Sequence, residues 1–201
     1  IPGEDGESIT DGPVDYLVSY GFPIPFIEEW ESGDFEENDW EVQCENWWVT
    51  TEEGIPEPTA SFSGQPLLEN YDCGLLSYPM NGLEMADGKF TFDFDLKRDI
   101  SEPAPTEELI VRIWENGEWY GLDTIIATES FDWTHFQIET YDHIGTDFRI
   151  GFFCVGENSS FINSWQIDNV VIDWVCPPPR NLNKFVDDIN NFLRKIFENS
   201  E

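Results

Sequence analysis

Between Glu28 and Glu41 the chain places Glu28, Glu29, Glu31, Asp34, Glu36, Glu37, Asp39 and Glu41, eight acids in fourteen residues around the turn former Gly33. Carboxylates at that density repel one another unless something neutral or positive comes between them. Calcium takes about six to eight hard oxygens from side chains, backbone carbonyls and water, so this cluster is a candidate metal site. The expected set is Glu31 and Asp168 on one ion, with Glu29 or Asp34 as further donors. Asp168 enters because the first and last strands of a sandwich often lie side by side. The competing reading is a solvated acidic face, since no contiguous EF-hand loop is present.

A second group is aromatic. Trp47 and Trp48 are consecutive, as are Trp119 and Tyr120. Successive side chains of a strand point to opposite faces, so one of each pair must leave the core. Exposed rings of this kind stack on sugars through their apolar faces, which makes Trp47, Trp48, Trp119 and Tyr120 the candidate ligand contacts. The alternative is that such rings cap a sheet edge or sit under a loop.

Catalytic chemistry has little to work with. The only histidines are His135 and His143, and neither sits in a zinc-binding H-E-x-x-H. There is no nucleophile elbow and no phosphate-binding loop. His135, within Trp133-Thr-His-Phe-Gln-Ile138, reads as a structural strand residue. With 42 acids, carboxylate pairs at glycosidase spacing arise by chance. A non-enzyme is the expectation.

These residues must be positioned by strands. Phe90-Thr-Phe-Asp-Phe-Asp-Leu96 alternates apolar with polar, the signature of a strand with one face buried. Further strands are expected at 26–30, 40–44, 74–78, 108–115, 119–127, 135–139, 148–155 and 164–174. The Asn116-Gly117 pair between two of them supplies the positive φ angles of a tight hairpin. No helical period intervenes, so the body is an antiparallel β-sandwich. Three parts are expected: an extended acidic lead-in (1–21), the sandwich (22–176), and a Pro-rich linker with a helix (177–201).

The last part is set off by composition. The whole chain of 201 residues has a formal charge of -33, from 42 Asp+Glu against nine Lys+Arg, whereas residues 180–201 hold four of each and net zero. Leu182, Phe185, Val186, Ile189, Leu193, Ile196 and Phe197 recur at three- and four-residue steps, forming one apolar stripe on a helix that invites self-association through residues 182–197. The charge of the remainder repels phosphate backbones and anionic lipid surfaces, which argues against nucleic acid. No run is apolar enough for membrane insertion.

Four cysteines, Cys44, Cys73, Cys154 and Cys176, allow three disulfide pairings. If 75–78 pairs with 168–174, Cys73 meets Cys176 and leaves Cys44 for Cys154. Disulfides, acidity and abundant Trp favour an extracellular or cell-surface location, with the chain at Ile1 read as following a removed export signal.

Several segments in order are similar to one known module. Phe26-Ile-Glu-Glu-Trp-Glu-Ser-Gly33 followed by Trp40 resembles the opening of MAM-like and cleaved-adhesin jelly-roll domains of secreted Bacteroidetes-type surface proteins. Phe148-Arg-Ile-Gly-Phe-Phe153, Gly156-Glu-Asn-Ser159 and Ile162-Asn-Ser-Trp-Gln-Ile-Asp-Asn-Val170 resemble the close of such modules. The resemblance implies a concanavalin-like or MAM-like jelly roll with a noncatalytic adhesion or attachment role, whose partner is a glycan or a surface protein. It also implies a structural calcium between the two motifs, at Glu31 and Asp168. Two other functions stay open at this level: a structural subunit of a surface layer or filament, and a glycoside hydrolase.

Overall fold

In the computed structural model of the chain, the described residues are 21–82, 89–140 and 147–175. The lead-in up to residue 20, Cys176, the triple proline and the stripe at 182–197 lie outside them.

Alternating sequence becomes alternating burial. The strands are β1 (Phe26–Glu28), β2 (Glu41–Val42), β3 (Trp47–Thr50), β4 (Thr59–Phe62), β5 (Glu69–Leu76), β6 (Lys89–Ile100), β7 (Ala104–Glu115), β8 (Glu118–Ala127), β9 (Phe131–Thr140), β10 (Arg149–Asn158) and β11 (Ile162–Val175). A turn of 3-10 helix, Ser159–Phe161, precedes β11. In β6 the side chains of Phe90, Phe92, Phe94 and Leu96 are buried, at 1% exposure or less. The Asn116-Gly117 turn joins β7 to β8 with φ of 52° and 90°, as a two-residue hairpin requires. Two strands escaped the sequence reading, β3 and β4. In β4, Thr59-Ala60-Ser61-Phe62 does alternate polar with apolar, but over only four residues and with small side chains, and all four are buried.

The strands form two antiparallel sheets. One has the order β3-β4-β11-β6-β9, with β1 also on β11, and the other β2-β5-β10-β7-β8. Phe92, Phe94 and Phe152 meet between the sheets, with ring centroids 5.2 to 5.5 Å apart. β4 and β1 share one edge of β11 in succession: β4 covers Trp165 to Ile167 and β1 covers Val170 to Ile172. Between them β11 is irregular, with a register shift from Asp168 to Val171 against β6. First and last strands therefore do lie side by side.

The expected disulfides are corrected. Cys44 is bonded to Cys73, with Cα atoms 5.8 Å apart, and Cys154 is a buried free thiol. The error lies in strand order. β5 pairs with β10 and β2, not with β11. Glu41 opposite Leu76 and Val42 opposite Leu75 bring Cys44 opposite Cys73, while Cys154 lies opposite Cys73 on the other side. Three cysteines thus fall in one row across β2, β5 and β10.

A candidate ligand face and a candidate cation site

The outer face of the five-stranded sheet is built from alternate residues of β5, β10, β7 and β8. Phe153 points outward from β10, yet it is only 3% exposed. Its ring lies flat over bare backbone: a Cβ added at Gly151 would come within 2.5 Å of it, and one at Gly74 within 2.8 Å. Glycine is needed there because any side chain would lift the ring. Trp119 stands edge-on to Phe153 at 4.9 Å, and the Arg112 guanidinium lies 4.2 Å above the same ring. Arg112 is held by both Asp72 oxygens, at 2.9 and 3.1 Å.

Half-buried Trp114 is the cross-strand partner of Trp119, and Gly121 that of Arg112. A Cβ at Gly121 would have no atom within 4 Å. The result is an open strip beside Trp119, floored by backbone and flanked by a ring and a guanidinium.

The candidate aromatic contacts do not converge. Trp47 is 4% exposed and donates its indole N–H to the Cys73 carbonyl at 3.1 Å, so it is a core residue and is withdrawn as a contact. Trp48 is 41% exposed, on the outer face of the other sheet, where it pairs with Ser61. Tyr120 is exposed at the sheet edge and donates to Glu118 at 3.1 Å. Of the four, only Trp119 lies on the strip. Phe153, Arg112 and Trp114 were missed; the signal that marks them is the alternation of β10 and β7, with Gly151 opposite Arg112.

The acidic segment divides by the same alternation. Glu28 points inward with Phe26 and Trp30 and is buried. Its carboxylate accepts from the Trp30 backbone N–H (2.8 Å), the Asn38 amide (2.8 Å) and the Trp40 indole (2.9 Å). Glu28 therefore organises the loop that follows it. Asp34 caps that loop, accepting from the backbone of Glu36 and Glu37. Glu29 and Glu31 line a cavity of about 150 Å³ with Ile27, Glu28, Glu37 and Asn38.

Asp168 sits at the irregular point of β11 and is fully buried. Its oxygens accept from the backbone N–H of Ile55 at 2.6 Å and of Asn169 at 2.8 Å. Burial raises its pKa, and the nearby Asp95 and Glu29 carboxylates push the same way, against these two hydrogen bonds. The Glu29 carboxylate bears weakly on Asp168 through its charge, while Glu29 and Glu31 line a cavity that Asp168 does not line. Among the described residues, no three His, Cys, Asp or Glu side chains converge as metal ligands.

No protein-family model and no curated protein sequence matches the chain. Solved structures do. A cleaved adhesin domain of Lys-gingipain from Porphyromonas gingivalis superposes with a TM-score of 0.55 at 17% identity, over 74% of this chain and 98% of that one. The C-terminal family 22 carbohydrate-binding module of Clostridium thermocellum Xyn10B gives 0.51 at 9% identity, over 75% and 93%. A xylan-binding domain of the same family gives 0.51 at 8%, over 76% and 96%. In fold, the chain is a jelly-roll sandwich of the type that cleaved adhesin domains and these carbohydrate-binding modules share.

Proposed function

We propose that this chain is a noncatalytic extracellular binding module whose ligand is a glycan, laid along the outer face of the five-stranded sheet. The observation that carries the reading is the open strip beside Trp119, where a fixed indole and a fixed guanidinium border bare backbone. Apolar sugar faces stack on indole, and Arg112 supplies donors to hydroxyl oxygens. Phe153 sets the height and angle of Trp119 from below. The similarity to a xylan-binding domain makes β-linked xylan the first probe, and the disulfide suits an oxidising compartment. Calorimetric titration with xylo-oligosaccharides and galacto-oligosaccharides should show binding that Trp119→Ala weakens at least tenfold, or about 1.4 kcal/mol. Equal affinity in wild type and Trp119→Ala would refute the placement.

We further propose that calcium stabilises the fold at the join of β1 and β11. Asp168 is a buried carboxylate with acidic neighbours and no Lys or Arg within ion-pair distance among the described residues. Asp168 and Glu29 are the carboxylate donors, Glu31 is a peripheral one, and backbone carbonyls and water complete the shell. Superimposable thermal melts in calcium and in chelator would remove this proposal.

A further inference from the structure

Where β8 passes to β9, at residues 128–130, a cavity of about 400 Å³ opens, lined by Lys97, Arg98, Asp99, Ser130, Phe131 and Asp132. Small-molecule pockets begin at about 300 Å³. The Arg98 residue is 3% exposed, and its guanidinium lies between the rings of Phe131, at 4.5 Å, and Trp165, at 5.0 Å. Its Nε donates to the Glu129 carbonyl at 2.6 Å and Nη1 to the Ile126 carbonyl at 2.5 Å. These bonds hold the crossover in place and account for two of the three nitrogens. Nη2 has no acceptor among the described residues.

Arg98 differs in this from every other described cation. Lys89 meets Glu139, Lys97 meets Glu53, Arg112 meets Asp72 and Arg149 meets Glu41. Among the described residues Arg98 has no carboxylate within ion-pair distance, and the Glu129 carboxylate favours its charge only from farther off. Nη2 is not among the buried unpaired polar atoms, so this remaining donor reaches solvent at the cavity, where a ligand oxygen can replace water on it.

The rim adds complementary groups. Asp99 accepts from Ser130 at 3.3 Å and from Asn163 at 3.1 Å. Exposed Asp132 accepts from the Trp133 backbone through Oδ1, which leaves Oδ2 for a ligand. A donor and an acceptor that line one cavity with a phenyl ring suit neighbouring sugar hydroxyls, each of which donates once and accepts twice. An anion fits worse, because two carboxylates and the net charge oppose it.

We propose that this cavity is a second saccharide site, which takes one neutral pyranose unit with a hydroxyl oxygen on Arg98 Nη2 and a neighbouring hydroxyl on Asp132. None of its lining residues lies on the Trp119 strip, so it does not rest on the glycan face proposed above. Two sites on one rigid module would let it bind two chains, or two points on one chain, with a gain in avidity.

The test is an amide NMR titration of the full chain with D-xylose, D-galactose and D-glucose, and with methyl glucuronate as the anionic control. The expected result is saturable shifts at Ser130 to Trp133 in the millimolar range with a neutral sugar. Trp119→Ala should leave them unchanged, and Asp132→Asn should weaken them about tenfold while the melting temperature holds. Shifts confined to the Trp119 strip, shifts insensitive to Asp132→Asn, or no saturable shift with any neutral sugar would overturn the proposal, as would tighter binding of the glucuronate.

Discussion

On the five-stranded sheet the side chains facing away from the core include Trp114, Trp119, Phe153 and Arg112, and Arg112 is locked by Asp72. On the six-stranded sheet the corresponding outward positions hold Asp93, Asp95, Asp168, Asp173 and Glu139. Exposed His135 stands between two of these, with Nδ1 3.1 Å from Asp95 and Nε2 3.4 Å from Asp93. The residues 52–55 loop lies against this face, with Glu53 on Lys97 and the Ile55 N–H on Asp168. One face is thus aromatic, with Arg112 neutralised by Asp72; the other is richer in carboxylates, with Glu139 paired to Lys89. The same strand period builds both, so the difference comes from which residue type occupies the outward position. On the reading proposed above, a sugar ring would find area to cover on the first face, and a cation would find charge to balance on the second.

The largest expected effect concerns the edge of the aromatic face. The Cys44–Cys73 bridge closes a loop with a sequence separation of 29, which corresponds to about 3.5 kcal/mol of loop-closure entropy. It anchors β2, a strand of only two residues that carries Glu41, the partner of Arg149. Urea unfolding of Cys44→Ser should show a loss of about that size. A loss under about 1 kcal/mol would mean that β2 is held by other contacts.

Next in size is Phe153→Ala. Truncating a buried Phe costs about 3 kcal/mol, and here it also removes the support under Trp119. Stability and glycan affinity should both fall. A variant of normal affinity would show that Trp119 needs no support, and the ligand strip would have to be redrawn.

Asp168 probes the acidic face. Its carboxyl pKa lies above the ordinary 3.8, chiefly through burial, so the folded state holds the proton more tightly than the unfolded chain does. The stability this contributes is complete below the unfolded value and is lost as pH rises through the folded one. Chelated wild type should therefore lose stability relative to Asp168→Asn as pH rises from about 4 toward neutrality, and calcium should restore the wild type but not the variant. Parallel pH profiles for the two proteins would contradict this account.

The smallest expected effect is the control. Trp48→Ala, on the six-stranded sheet and 41% exposed, should change stability by no more than about 0.5 kcal/mol and leave glycan affinity unchanged. A substantial loss of affinity would move the ligand to the opposite face.

Much of the strand framework is local chemistry and was legible. Alternation in Phe90 to Leu96 marks β6, and Asn116-Gly117 marks the β7–β8 hairpin, because both depend on residues adjacent in the chain. The order of segments that resembles cleaved-adhesin jelly rolls is likewise a property of the sequence, and the fold agrees with it. β4 was not legible, since its four-residue alternation of Thr, Ala, Ser and Phe is too short and too weakly apolar to stand out from a loop.

The site was less legible for a different reason. Alternation alone separates Trp47 from Trp48 and Glu28 from Glu29, assigning each to opposite faces. It does not say which strand comes to lie beside which. That Cys73 finds Cys44 rather than Cys176 follows from β5 pairing with β2, and that Trp119 meets Phe153 follows from β8, β7 and β10 lying in one sheet. Residue type and period determined the strands, their buried sides and the excess of negative charge. Strand order, settled only when both sheets bury their apolar faces against each other, decided which distant side chains became neighbours, and so where an aromatic strip, a buried carboxylate and an unpaired guanidinium stand.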